Sequence, residues 1–304
     1  MPEENKKIID KYGRYLLLEK GLSKNSIDAY MRDLKKLDSF ISEKELSFKE
    51  VGSSDLEEFL ASLYDSGITA SSVARTLSGL RSFFRFMMLD DIRSDDPSEL
   101  IESPRVPQRL PSVLSIDEID SILRAIDLST AEGTRNYAII ETLYSCGLRV
   151  SELINLKFSN LYFDEGFIRV EGKRNKQRLV PISEEAIRRI KDWLIYRNQM
   201  DVKKGSEDII FITKRGSKIS RSMIFVFVKE YAEAAGIKKD VSPHIFRHSF
   251  ATHLLERGAN IRVIQEMLGH EKIKTTEIYT YLDRDYLRQE VVEYHPRNNH
   301  HNNR

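Results

Sequence analysis

The chain has 304 residues, 40% of them hydrophobic and 31% charged, with a formal net charge of +1. That length suits two domains, and the near-neutral total hides an asymmetry. Residues 1–107 carry 16 Lys+Arg against 20 Asp+Glu (−4), and residues 108–304 carry 32 against 27 (+5). Cys146 is the single cysteine, which excludes an intrachain disulfide and argues against a cysteine-based metal site. The first residues, MPEENKK, have no apolar run behind them and do not read as a secretory signal. No segment reaches the roughly 18 apolar residues of a membrane span, so the expectation is a cytoplasmic protein with no membrane partner.

Residues 3–20 read as an amphipathic helix with Ile8, Ile9, Tyr12, Tyr15 and Leu16 on one side, ended by Gly21. Ser23 is a good N-cap for the next helix, which spaces Ile27, Tyr30, Met31, Leu34, Leu37 and Ile41 helically. Ser53 or Ser54 caps a third, with Leu56, Phe59, Leu60 and Leu63, closed by Gly67. Thr69 starts a fourth that runs to about Leu89, with Val73, Leu77, Leu80, Phe84 and Met87/Met88 as its stripe. Four helices joined by short turns form a bundle. The fourth also carries Arg75, Arg81 and Arg85 beside Ser71, Ser72 and Ser78. Such a face suits phosphate contact, although a solvated helix face has the same composition.

SPRVPQRLPS at 103–112 holds three prolines and marks a linker between domains at 1–102 and 113–304. The second domain opens with the capping box Ser115-Ile116-Asp117-Glu118. Helices are expected at about 116–126 and 134–145, before a break at Gly147. Residues 160–182 change period, with strands at Phe167–Val170 and Arg178–Ile182. The turn between them is loaded with Lys173, Arg174 and Lys176. A helix over about 183–200, a short buried strand or extended segment at Asp208–Ile212, and a helix over about 221–235 follow.

Ser242-Pro243 then opens a helix carrying His244 and Arg247 on one face. His244 lies near the helix N-terminus, where backbone N–H groups favour an anion; a core histidine beside an exposed arginine is the alternative. A short helix from Asn260 stops at Gly269, so that His270 is free to face a cleft. Tyr279 is either a packing aromatic or a nucleophile. The tail HPRNNHHNNR is polar and aperiodic, and beyond about 296 disorder is expected.

There is no P-loop, no G-x-G-x-x-G, no H-E-x-x-H and no two-metal carboxylate cluster, so no cofactor or metal is expected. A tyrosine acts as a nucleophile only beside cations or a base, because its free pKa is near 10. Arginine forks suit the charge that gathers on a phosphodiester under attack, and a lysine on a hairpin can protonate a leaving oxygen. Arg149, Lys173, His244, Arg247, His270 and Tyr279 supply every part of such a site.

Leu148-Arg149-Val150-Ser151-Glu152-Leu153, the Gly172-Lys173…Arg178-Leu179-Val180-Pro181 hairpin, His244-x-x-Arg247, Leu268-Gly269-His270 and Tyr279 stand in the order and spacing of the tyrosine recombinase (phage integrase-like) family. Thr76–Phe83 resembles that family's core-binding domain. The resemblance spans nearly the whole chain and is nearest to the bacterial XerC/XerD group. It implies a mainly α fold with a small β-sheet: an N-terminal helical core-binding (SAM-like) bundle, with Arg75, Ser78 and Arg81 on DNA, and a C-terminal catalytic domain. Together they would clamp duplex DNA.

The same resemblance assigns Tyr279 as the nucleophile that forms a 3′-phosphotyrosyl link. Arg149 and Arg247 hold the phosphate, Lys173 is the general acid, His244 and His270 are helpers, and Glu152 orients the site. Arg174 and Lys176 fall to DNA contact. Lys176 is a rival of Lys173, and Tyr281 a rival of Tyr279 that the spacing from His270 disfavours. The implied setting is a synaptic tetramer with a second Xer-type recombinase or further copies of the chain, and an FtsK-type translocase. In it the segment around Tyr286–His295 packs on a neighbour, or else on its own domain. The implied function is Xer-type resolution of chromosome dimers; a mobile-element integrase, a DNA invertase and a catalytically dead architectural protein are the alternatives.

Overall fold

The computed structural model describes residues 3–105, 112–172, 176–269 and 281–298, the first five of the last run as backbone alone. The chain divides into two compact units, Met1–Arg109 and Leu110–Arg304.

The first unit is built on α1 (Glu3–Leu18), α2 (Lys24–Glu43), α3 (Ser53–Asp65) and α4 (Ala70–Leu89). The Ser23 and Thr69 hydroxyls accept the N–H of Ser26 and Ser72 and so fix the starts of α2 and α4. The third helix starts differently from the expectation. Its N-cap is Gly52, and the Asp55 carboxylate accepts the Gly52 N–H at 3.0 Å. The core is aromatic, with Tyr12, Phe48, Phe59, Phe83 and Phe84 at 0–2% exposure. Of the two methionines of the α4 stripe only Met87 turns inward; Met88 is exposed. Inside this bundle Asn5 donates to Asp38 at 2.7 Å and accepts the Phe48 N–H at 3.2 Å, so a buried amide is satisfied on both sides.

The second unit begins with α5 (Ile116–Arg124) and α6 (Ala131–Cys146). Every residue of α6 from Gly133 on is buried except Tyr137. A helix wrapped on all sides belongs in the middle of a domain, and α6 packs against α8 (Glu184–Arg197) and α10 (Pro243–Glu256). Its polar positions are paired internally: Thr142 returns to the Ala138 carbonyl at 2.7 Å, and Ser145 donates to Glu141 at 2.8 Å.

The sheet is small and antiparallel, in the order β1 (Leu161–Tyr162), β2 (Phe167–Glu171), β3 (Gln177–Pro181). Val170 faces Arg178 and Glu171 faces Gln177 across the hairpin. Gly172 N–H closes the turn on the Lys176 carbonyl at 2.7 Å. The 208–212 segment is extended, with isolated bridges from Ile209 to Lys157 and from Ile212 to Lys218. Side chains of α8 hold it, as Trp193 donates to the Ile210 carbonyl at 2.9 Å and Arg197 Nε to that of Ile209 at 3.0 Å.

The remaining elements are α7 (Val150–Leu153), α9 (Arg221–Ala234), α11 (Ile261–Leu268) and α12 (Tyr281–Tyr294). Among the described residues no helix is long and apolar enough to cross a membrane.

Within the single chain the C-terminal segment packs on its own unit. Leu287, Val291 and His295 of α12 and the turn after it are buried on the chain's own second unit, while Val292 is exposed. At the start of the tail Arg297 pairs with Asp120 at 2.6 Å and with the fully buried Glu141 at 3.0 Å; the rest of the expected disorder, from 299 on, lies outside the described residues. Those partners lie 177 and 156 residues upstream, beyond the reach of any local pattern.

Candidate active site

Gly147 ends α6 in the left-handed conformation at φ +57°, and a Cβ there would come within 2.5 Å of the Phe250 ring. The tight turn leaves the Gly147 carbonyl free to accept from Arg247 Nη1 at 2.7 Å. Two residues on, Arg149 caps the four-residue α7. Glu152, one turn along, accepts the Arg149 N–H at 2.9 Å and its Nη1 at 2.8 Å. Glu152 is 3% exposed. Arg178 of β3 meets the same carboxylate with both terminal nitrogens, at 2.8 and 3.0 Å. Arg247 Nη1 stands 3.9 Å from it.

The other wall is the carboxyl end of α11. Asn260 caps its start through the Arg262 N–H, and Gly269 stops it at φ +66°. The last carbonyls of a helix have no partner within it and carry partial negative charge. Here three guanidiniums take three successive carbonyls. Arg178 Nε donates to Met267 at 2.7 Å, Arg247 Nη2 to Leu268 at 2.6 Å and Arg149 Nη2 to Gly269 at 3.2 Å.

Three guanidiniums against one carboxylate leave a local excess of 3 − 1 = +2. The chemistry of the cluster is therefore anion binding, by forks that take two oxygens at once. The crowding is visible in the ionisation of its members. Burial, then the Arg149 charge, pushes Arg247 down to about 10. Burial would raise the Glu152 carboxyl, but the bonds and charge of Arg178 and then Arg149 outweigh it and hold it below the usual carboxylate range. His244, in the first turn of α10, is exposed and lies edge-on to Phe225 at 6.3 Å. Partial desolvation, then Arg247, Arg221 and Arg149, lowers its pKa, so it is neutral near pH 7.

The structure thus brings Arg149, Glu152 and Arg247 together at the α11 terminus, from which His270 follows directly in the chain. Lys173, Arg174, His270 and Tyr279 lie outside the described residues. Lys176 is exposed beside the hairpin turn. In the first unit Arg75 holds the buried Asp33 with two bonds, at 2.6 and 3.0 Å, while keeping half its side chain in solvent. Ser78 is exposed and bonds back to the Ala74 carbonyl. Arg81 is committed to the Ser98 and Ile101 carbonyls.

Sequence reasoning did not single out Arg178. Its signal was the strand period: Arg178 shares the inward phase of β3 with Val180, while Gln177 and Leu179 take the other. An arginine on the inward phase demands a buried acceptor.

Two family models match the chain, the phage integrase family over residues 112–285 and the phage integrase N-terminal SAM-like domain over residues 9–90. The chain belongs to the phage integrase family. It is a tyrosine recombinase, an enzyme of DNA strand exchange. Curated relatives include tyrosine recombinase XerD of Proteus mirabilis, 41% identical over 296 residues, which cover 97% of this chain and 95% of that one. Tyrosine recombinase XerD of Staphylococcus aureus strain Mu50 is 40% identical over 291 residues, or 95% and 99% of the two chains. Among solved structures, the XerH site-specific recombinase bound to palindromic difH substrate, a post-cleavage complex, superposes with a TM-score of 0.70 at 25% identity, covering 93% and 83% of the two chains. A lambda integrase dimer bound to a COC' core site shares the fold, with a TM-score of 0.68 at 20% identity over 90% and 97%. The recombinase therefore joins a mostly helical fold and a three-stranded sheet to a family of DNA strand-exchange enzymes.

Proposed function

We propose that the recombinase cuts and rejoins duplex DNA at a specific site through a 3′-phosphotyrosyl intermediate on Tyr279, and that its task is Xer-type resolution of chromosome dimers in the cytoplasm. The observation that carries the site assignment is the cluster of Arg149 and Arg247 around Glu152 and the end of α11. Among the described residues both arginines keep N–H donors without a partner, available for the non-bridging oxygens of a phosphodiester.

In this reading the Tyr279 oxygen attacks phosphorus. A P–O bond to tyrosine forms as the bond to the 5′ oxygen breaks, and the 5′ hydroxyl leaves with a proton from Lys173. Arg149 and Arg247 neutralise charge that grows on the phosphoryl oxygens in the transition state. His244 and His270 position the phosphate and assist proton transfer. The tyrosyl ester keeps the bond energy, so attack by a 5′ hydroxyl of the partner strand reseals the backbone without ATP.

The 40–41% identity to two XerD proteins favours the Xer role over a mobile-element integrase or invertase. It also supports a synaptic tetramer on duplex DNA, with a second Xer-type recombinase or more copies of this chain, driven by an FtsK-type translocase. Arg75 and Ser78, exposed on α4, are proposed as DNA contacts, with Arg81 supporting α4 from within its own unit, and so are Arg174 and the exposed Lys176, between β2 and β3 in the sequence. The two domains, 1–102 and 113–304, would grip the duplex through the 103–112 linker. Sequencing the chromosomal DNA held covalently by the recombinase tests this role. A single dif-type locus is the expected result, and scattered or phage-borne ends would refute it.

A further inference from the structure

Arg178 is 8% exposed and none of the family roles above uses it. It is too deeply set to meet DNA, yet its one planar group binds three acceptors: both oxygens of Glu152 and the Met267 carbonyl. It thereby ties β3, immediately after the lysine-bearing turn, to α7 and to the end of α11. Gly269 lies against it, and a Cβ there would stand 3.3 Å from its guanidinium.

We propose that Arg178 is a positioning residue of strand exchange: by clamping Glu152 and the Met267 carbonyl it sets Arg149, the hairpin and the turn leading into His270 in one geometry. The need for it follows from burial. Glu152 is sealed from water, and a buried carboxylate must keep a counter-ion. Arg149, with 31% of its side chain exposed against 8% for Arg178, is the one of these two arginines that a phosphate from solvent can reach. When Arg149 shares its charge with DNA, Arg178 still holds Glu152, so the carboxylate neither protonates nor draws Arg149 back. A lysine carries the same charge but cannot reach three acceptors in one plane.

This inference rests on the assignment of Arg149 to the scissile phosphate, so the test has separate arms. Single-turnover adduct formation is measured on a nicked dif-type duplex and normalised to protein competent to bind that duplex. Arg149→Lys should lose adduct formation; if it cleaves at the wild-type rate, the phosphate assignment itself fails. Arg178→Lys, which keeps the charge and is the variant that preserves the fold, should bind the duplex within threefold of wild type but cleave about 100-fold more slowly, the scale of losing one preorganised contact. Arg178→Met should be no faster. Because Arg178 acts through Glu152, Arg178→Lys combined with Glu152→Gln should be about as slow as the slower single variant, not the product of the two losses. A normalised Arg178→Lys rate within threefold of wild type overturns the proposal, and so do losses that multiply. Either result, with Arg149→Lys inactive, leaves the phosphate assignment standing.

Discussion

Arg297→Met tests whether the C-terminal turn is a structural part of its own unit. The guanidinium is 8% exposed, pairs with Asp120 at 2.6 Å and Glu141 at 3.0 Å, and lies over the Tyr144 ring at 5.2 Å. Glu141 has no exposure at all. Burial already raises its carboxyl above the ordinary range, against the opposing charge of Arg297. Methionine fills much the same volume but leaves Glu141 without its counter-ion. Removing one partner of a buried pair costs about 3–5 kcal/mol, because the other charge stays behind. Asp120, at 28% exposure, adds little, since water can replace its partner.

Trp193 is the sole tryptophan and is fully buried in the second unit, so its fluorescence reports unfolding of that unit in urea. Arg297→Met should lose about 3–5 kcal/mol by this assay. Adding Glu141→Gln should restore part of the loss, because a neutral amide costs less to bury than an unpaired carboxylate. The loss should not change with protein concentration, since packing within one chain carries no mass-action term. A change under about 1 kcal/mol, or a loss that shrinks on dilution, would refute the reasoning and favour packing on a neighbour.

Two further predictions concern the same region. Gly147→Ala should destabilise the second unit by about 2–4 kcal/mol, from the left-handed backbone and the clash with Phe250; it should also slow cleavage, because the Gly147 carbonyl anchors Arg247. Retained stability together with a wild-type cleavage rate would show that the turn tolerates a side chain.

His295 lies buried against Tyr144 and Phe250, with Arg297, His253 and Arg257 as charged or titratable neighbours. Burial, then the Arg297 charge, pushes its pKa down from 6.5 to about 3. The unfolded chain therefore takes up a proton below pH 6.5 that the folded chain refuses. The stability His295 contributes is complete above that value and drains as pH falls toward 3, by about 2 kcal/mol at pH 5. Urea unfolding of His295→Gln beside the unsubstituted chain should show their stability gap narrowing by about that amount between pH 7 and pH 5. A constant gap would mean that the ring is not held neutral.

The elements legible in the sequence are those with local punctuation. The Ser23, Thr69 and Ser115 caps, the breaks at Gly147 and Gly269, and the alternation of the 167–181 hairpin each depend on residues a few positions apart, and the structure has them all. The start of α3 escaped because Asp55, not a serine, supplies its cap. The burial of α6 escaped because some of its polar residues, Arg135 and Ser145 among them, also take partners from distant segments, at the Ile212 carbonyl and Ser183. Within the site, Arg149 and Glu152 are three residues apart and could be read as a pair. Arg178 and Arg297 pair across 26 and 156 residues with Glu152 and Glu141, separations that no local spacing marks. The strand period could place Arg178 inward, but no period names the distant acceptor.

The central claim is that the arginine cluster serves a tyrosine nucleophile at position 279. Tyr279→Phe removes a single oxygen and leaves Arg149, Glu152, Arg178 and Arg247 in place. On a nicked dif-type duplex the variant should bind with unchanged affinity and form no covalent adduct, while the unsubstituted recombinase accumulates it. An adduct that persists in Tyr279→Phe would contradict the account and move the nucleophile to Tyr281 or another side chain.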